Sequence, residues 1–220
     1  MSFIQVREIE KKFGEINILN GISMEVNKGD FIAIMGPSGS GKSTLLYSIS
    51  GMDEITGGSV WFDGENLSAM GEEERAQMRL KKMGFVFQNA QMLKTLTILD
   101  NIILPGLVAG EEDADTIRNR AVDLMEQMGI SQIADRDIRK VSGGQLQRAS
   151  ICRAMINNPE ILFMDEPTGA LNSEATEQVL EILKKLNEQG VTIVMVTHDP
   201  KVAEKTKKII YIKDGVIAKS

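Results

Sequence analysis

Apolar and polar residues follow three successive patterns along the 220-residue chain. Over the first 35 positions the apolar residues fall in β-prone runs: Ile4, Val6 and Ile9, then ISMEV, then FIAIM. Asn27, Lys28, Gly29 and Asp30 separate the last two runs and predict a hairpin turn. Residues 36–41 break the pattern, and a helix is predicted from Lys42. SVWFDGENL predicts another strand and turn, and MGFVF a short strand ending at Gln88. From about residue 89 to 158 the spacing becomes helical; Ile117, Ala121, Leu124, Met125 and Met128 share one face. Glu72-Glu73-Glu74-Arg75 and Glu111-Glu112-Asp113 read as solvated helix starts. The last third alternates again. ILFMD predicts a buried strand, and residues 173–186 a helix with Asn172 or Ser173 as N-cap and Gly190 beyond its end. VTIVMV predicts a second buried strand, and residues 208–220 two short strands about Asp214-Gly215. Strand–helix alternation around a helical insert predicts an α/β core from residues 1–88 and 159–220, carrying a helical subdomain at 89–158.

Composition narrows the classes of function. Apolar residues make up 42% and charged residues 25%, an ordinary globular balance that excludes wholesale disorder. Acidic residues (31) outnumber Lys and Arg (25), for a net charge of −6, so broad electrostatic attraction to nucleic acid is not expected. One cysteine, Cys152, excludes an internal disulfide, and a single histidine, His198, excludes a Cys/His zinc site. Cys152 is expected to be buried packing, and most of the 13 methionines to be adaptable core filler. No run approaches the roughly 18 apolar residues of a membrane helix, and the N-terminus shows no signal-peptide pattern. A chain soluble by itself, meeting a membrane only through a partner, is the expectation.

The candidate chemistry lies at the strand ends. Gly36-Pro37-Ser38-Gly39-Ser40-Gly41-Lys42-Ser43-Thr44 fits the phosphate-loop pattern G-x-x-x-x-G-K-[ST], between a predicted strand and a predicted helix. Its glycines let backbone N–H groups turn toward phosphate oxygens, and the helix start adds positive dipole character. Lys42 is expected at the β- and γ-phosphates and Ser43 at Mg²⁺. Asp165 ends a buried strand, where α/β sheets place ligand chemistry, and is expected to hold Mg²⁺ through water. Glu166 follows it and is placed to orient or deprotonate a water. Ser142-Gly143-Gly144, before another helix, forms a second candidate anion nest. Two such nests need not share a nucleotide within one copy; they can meet across a dimer.

With these motifs the chain resembles an ATP-binding cassette (ABC) ATPase over essentially all 220 residues. Val141 to Gln145 resembles the family's LSGGQ signature, with Val in place of Leu; Gln88 resembles the Q-loop, His198 the switch histidine, and 166–172 the Walker B end and D-loop. Phe13 falls at the adenine-stacking aromatic, often Tyr. The resemblance implies a P-loop NTPase core (RecA-like) with an N-terminal antiparallel β-subdomain and the helical subdomain inserted. It implies ATP and Mg²⁺ as cofactors, with Phe13, Gly36, Ser38, Gly39, Ser40, Gly41, Lys42, Ser43, Thr44 and Gln88 contacting the nucleotide. Ser142, Gly143, Gly144 and Gln145 would contact the nucleotide of a second copy in a head-to-tail homodimer. It also implies Gln88, with Ser43 and Asp165, at the metal, and Glu166 and His198, with Gln88 and Lys42, in hydrolysis. Asn172 stands where the D-loop usually has Asp, and Leu146 where many relatives have a polar residue.

GFVFQ, Leu93, Thr97, Asn101 and Pro105, with EPTGALN and VTHD, resemble the lipoprotein-release, macrolide and antimicrobial-peptide exporter group. That resemblance implies a subunit at the cytoplasmic face of the plasma (inner) membrane, bound to an integral permease with an extracytoplasmic domain. Export of, or mechanical work on, peptide, lipoprotein, drug or haem-like cargo is implied, the alternative being a signalling or cell-division ATPase that acts through a membrane partner. Chromosome-structure relatives carry a long coiled coil for which this chain has no room, and translation-factor relatives need two cassettes. The surface beside Gln88, made by Asn89 to Leu99 and the start of the helical subdomain and offering Met92, Leu93 and Leu96, is expected to receive a short coupling helix from the permease.

Overall fold

The computed structural model describes residues 2–218. Strands β1 (Ile4–Phe13), β2 (Ile16–Val26), β4 (Gly57–Phe62) and β5 (Glu65–Asn66) form an antiparallel sheet in the order β2-β1-β4-β5. Strands β3 (Phe31–Met35), β6 (Met83–Phe87), β7 (Ile161–Asp165), β8 (Thr192–Val196), β9 (Lys208–Lys213) and β10 (Val216–Ile217) form a second sheet in the order β10-β9-β3-β8-β7-β6. All its pairs are parallel except β9 with β10, which close the hairpin at Asp214-Gly215; residues 219 and 220 of the second strand expected there lie outside the described residues. The helices are α1 (Lys42–Ile49), α2 (Glu72–Lys82), α3 (Ile98–Ala109), α4 (Ala114–Gln127), α5 (Gly143–Met155), α6 (Ser173–Glu188) and α7 (Pro200–Ala203).

The central strands β3, β7 and β8 are short and buried on both faces, which accounts for their unbroken apolar sequences. Alternate side chains supply two different cores, as period-2 pleating requires. Leu162, Met164, Ile193 and Met195 join the cluster built with α3, α4, α5 and α6. Ile161, Phe163, Val194 and Val196 face the other way, into the cluster shared with α1 and the antiparallel sheet. The parallel sheet is therefore clamped between two hydrophobic cores, and its strand tips are held rigidly in line. The Glu166 N–H donates to Val196 O (3.0 Å) and the Thr197 N–H to Ile34 O (3.1 Å), tying the tips of β7, β8 and β3 together.

The expected hairpin at residues 27–30 does not form. β2 belongs to the antiparallel sheet and β3 to the parallel one, so these four residues carry the chain between sheets. The turn chemistry is local and equally suited to either path: Asp30 Oδ2 accepts from the Asn27 N–H at 2.8 Å. The difference lies in the strands. ISMEV alternates buried and exposed positions, whereas the first four residues of FIAIM are all buried, the mark of a central parallel strand.

The helical residues are stapled by buried polar side chains. Asn101 is 1% exposed; its Nδ2 donates to Leu93 O, Leu96 O and Thr97 O, and its Oδ1 accepts from the Leu93 N–H. This fixes the loop entering α3. Met92 packs inward against the helical core and Leu96 is half-buried, while Leu93 is half exposed. The surface expected from all three is therefore reduced to Leu93: a short loop between two elements has to help bury the core it spans.

Cys152 is fully buried in α5, and burial pushes its thiol up to about 12. It is expected to be unreactive toward a thiol-specific disulfide reagent at pH 8 in the native protein and to react once in denaturant. Rapid stoichiometric labelling of folded protein would contradict its packing.

Candidate functional site

The loop between β3 and α1 is shaped by glycine. Gly36 has φ +152°, and a Cβ there would lie 2.0 Å from the Ile212 carbonyl oxygen, so only glycine lets β9 pass so close. Gly41 is the N-cap of α1 at φ +96°, with no side-chain cap among the described residues. The first-turn N–H groups of α1 therefore open into a cleft of about 370 Å³ lined by Ser38, Gly39, Lys42, Ser43 and Glu166, with Ile18 of β2 at one side. Ser40 is buried, and its hydroxyl has no hydrogen-bond partner among the described residues. The Lys42 ammonium donates to the Pro37 carbonyl at 2.8 Å and meets no carboxylate among the described residues. An uncapped helix start and an uncompensated ammonium in one cleft form an anion site.

The sheet brings the acidic residues to the same place. Asp165 Oδ1 accepts from Ser43 Oγ at 2.9 Å, and its Oδ2 accepts from the Tyr47 hydroxyl at 2.6 Å. Tyr47 was not among the expected site residues; its position four residues after Ser43, on the same face of α1, is the signal that could have found it. Burial, then the Asp165 contact, push its phenol well above the usual tyrosine range. Glu166 adopts a left-handed conformation at φ +49°, which turns its side chain off the strand line. His198 Nδ1 lies 2.9 Å from Glu166 Oε2, with the imidazole largely exposed and the carboxylate largely covered. Gln88 is exposed just past β6, with its amide beside Gly169, where an added Cβ would lie 3.0 Å from Gln88 Nε2. Thr44 stands in the first turn of α1.

Two expected groups stand apart from this cleft. Phe13 closes the β1–β2 hairpin opposite Ile16 and is 54% exposed, with the Lys11 ammonium 4.8 Å from its ring centroid. Ser142 is the N-cap of α5 and accepts from the Gln145 N–H, while Gln145 Oε1 accepts from the Ser142 N–H at 3.0 Å, a reciprocal capping box. Gly143 faces Leu171 and Gly144 faces Ala175, so the signature residues adjoin the segment after Glu166 and do not line the phosphate cleft. Asn172 caps α6, its Oδ1 accepting from the Ala175 N–H at 2.9 Å, a task an aspartate would also perform.

A parallel sheet with a phosphate loop after one strand and an acidic pair after another defines a P-loop nucleotide-binding domain. The family model described as ABC transporter matches residues 19–169, and the chain belongs to that family. It is 44% identical to the macrolide export ATP-binding/permease protein MacB of Syntrophobacter fumaroxidans, over 99% of this chain and 31% of that protein. The chain thus spans about a third of the length of the MacB relatives it matches. It is 42% identical to the bacitracin export ATP-binding protein BceA of Halalkalibacterium halodurans, over 99% of this chain and 87% of that one. The solved ATP-binding cassette MJ0796, in a dimeric post-hydrolysis state with ADP and Pi, superposes with a TM-score of 0.91 at 38% identity, covering 98% of this chain and 97% of that one. The α/β P-loop fold and the exporter-group resemblance expected from the sequence are both met.

Gly36→Ala places a methyl group against the Ile212 carbonyl and is expected to cost at least about 2 kcal/mol of stability. Urea unfolding measures it; an unchanged midpoint would contradict the loop geometry.

Proposed function

We propose that the chain binds Mg-ATP, hydrolyses it to ADP and phosphate, and so powers a membrane permease of the export type. The observation that carries this reading is the convergence on one cleft of the uncapped α1 start, the Ser43–Asp165 pair and the Glu166–His198 pair. Family membership and the ADP and Pi bound to the MJ0796 cassette support it. The phosphates would rest on the N–H groups of residues 36–44, with Lys42 exchanging a neutral carbonyl for their charge. Ser43 Oγ and Asp165 Oδ1 are hard oxygen donors 2.9 Å apart, a pair that suits Mg²⁺, which Gln88 would join as the Q-loop resemblance implies. Mg²⁺, when bound, supplies neutralisation of phosphate charge. Glu166 would orient and deprotonate the attacking water, with His198 holding the carboxylate in place. Phe13 would stack on adenine.

Ser142, Gly143, Gly144 and Gln145 face away from their own copy's cleft, so their nest would serve the nucleotide of a second copy. The dimeric state of MJ0796 supports a homodimer with ATP at its seam. No helix among the described residues is long and apolar enough to cross a membrane; attachment to the cytoplasmic face through a permease is the reading that the fused MacB relatives support. No role in nucleic-acid binding is proposed, in keeping with the net charge of −6. The surface offered to the permease is a groove of about 410 Å³ in which Met52, Phe85, Phe87, Leu104 and Pro105 stand among the polar residues Arg79, Gln91 and Arg153. It takes over the role that the sequence assigned to Met92 and Leu96, and a coupling helix presenting apolar side chains fits it.

Lys42→Ala is expected to weaken ATP binding about 100-fold, the loss of a charge-assisted contact to phosphate. Glu166→Gln should retain ATP affinity and lose turnover by about 100-fold or more. Calorimetry and phosphate release separate the two; wild-type ATP affinity in Lys42→Ala would refute the phosphate loop. Met52→Glu and Leu104→Glu should leave ATPase of the isolated chain near wild type and lose the permease on co-purification. Full co-purification would place the coupling surface elsewhere.

A further inference from the structure

We propose that Lys11 is a positioning residue for the nucleotide's base: its ammonium supports the Phe13 ring from beneath and ties that ring to the end of α1. The inference rests on the reading that Phe13 stacks on adenine. Phe13 closes the β1–β2 hairpin at a turn where Gly14 takes φ +60°, and its side chain is exposed. A ring at such a tip has little packing to fix its rotamer. Lys11 Nζ stands over it, 4.8 Å from the centroid, within the roughly 6 Å reach of a cation–π contact. Lys11 is 6% exposed and Phe13 54%, so the face that meets the ammonium is the inner one. The outer face is left for a second flat group.

The ammonium is itself firmly held. It donates to Asp53 Oδ1 at 2.6 Å and to the Glu54 carbonyl. Both acceptors belong to the segment that follows α1. The N–H groups of Met52 and Asp53 donate to Tyr47 O, both at 3.0 Å, so this segment cannot shift without breaking the end of the helix. Its other side is stitched down as well: the Thr56 N–H donates to Glu10 O at 2.8 Å, and the buried Arg75 of α2 donates to the Glu54 carboxylate.

α1 thus serves both ends of the nucleotide. It opens at the phosphate loop, and eight residues later, about 12 Å along its axis, it ends at the anchor of the ammonium. The phosphates meet its start, and the ring beneath the base is set from its end. Without the cation the ring turns freely on the hairpin, and a base has to order it on binding, which costs affinity. The phosphates do not feel that cost.

The test titrates the full chain by calorimetry with ADP and with inorganic pyrophosphate, which carry the same two phosphates with and without the nucleoside. Lys11→Met removes the cation and keeps the apolar stem; Lys11→Gln keeps a donor for Asp53 and covers the case in which the first variant folds poorly. Both are expected to bind pyrophosphate as wild type does and ADP about fivefold more weakly, the size of one exposed cation–π contact. An unchanged ADP:pyrophosphate ratio overturns the inference, including the case where both ligands weaken equally, which is what a purely structural salt bridge produces. Phe13→Ala, measured alongside, separates the two levels and is expected to lower the ratio about tenfold, the worth of one stacked base. If it does so while both Lys11 variants keep the wild-type ratio, the stacking reading stands and the positioning role falls. A wild-type ratio in Phe13→Ala would sink both.

Discussion

The organisation of this chain depends on one helix that is left open at its start. In α3, α4, α5, α6 and α7 a side chain closes the N-terminus: Thr97, Asp113, Ser142, Asn172 and Asp199 respectively. α2 also starts at a glycine, Gly71, but three glutamates crowd its first turn and Glu74 reaches back to the Gly71 N–H; at α1 the cap is Gly41, no acid stands in the first turn, and its donors point into a cleft. Unsatisfied N–H groups at a helix start create a demand for negative charge that an anionic ligand can meet. The rest of the parallel sheet is arranged around that demand. β3 delivers the loop, β9 packs so close behind it that Gly36 is obligatory, and β7 and β8 end beside it with Asp165, Glu166 and His198. The side chains proposed for catalysis stand on strands that two hydrophobic cores hold in place.

The second nest, at the start of α5, is different in kind. Its donors are partly used by its own capping box, and its glycines fit against Leu171 and Ala175 of the segment that follows Glu166. Further along, the same helix grips the chain after Gln88. Gln147 Nε2 donates to Phe87 O at 3.4 Å, and the Arg153 guanidinium donates to Ala90 O and Gln91 O at 2.7 and 2.8 Å. One rigid rod thus touches both the face proposed to meet a second copy and the residues beside the groove proposed for the permease. A change at either end has a direct mechanical route to the other, carried by hydrogen bonds to backbone and not by a flexible loop.

Much of this was legible in the amino-acid order. The phosphate loop, the apolar strands ending in acids, the N-cap at Asn172 and the Asp214-Gly215 hairpin are local signals, written in adjacent residues and read without knowledge of the fold. What escaped was non-local. Turn residues 27–30 suit a hairpin or a change of sheet equally, and only the burial of both faces of β3 decides between them. Met92 looked like surface because it lies in a loop, yet the helical core claims it. Tyr47 stands in no motif of its own. Its hydroxyl gains meaning only when β7, more than a hundred residues later, brings Asp165 to 2.6 Å.

The central claim is that ATP completes a site shared by two copies. Sedimentation of the Glu166→Gln protein, with and without Mg-ATP, tests it most directly. The account expects a monomer without nucleotide and a dimer with it, and expects the dimer to vanish when Lys42→Ala is added to the same chain. A dimer that forms without nucleotide, or a chain that stays monomeric at saturating Mg-ATP, would contradict it.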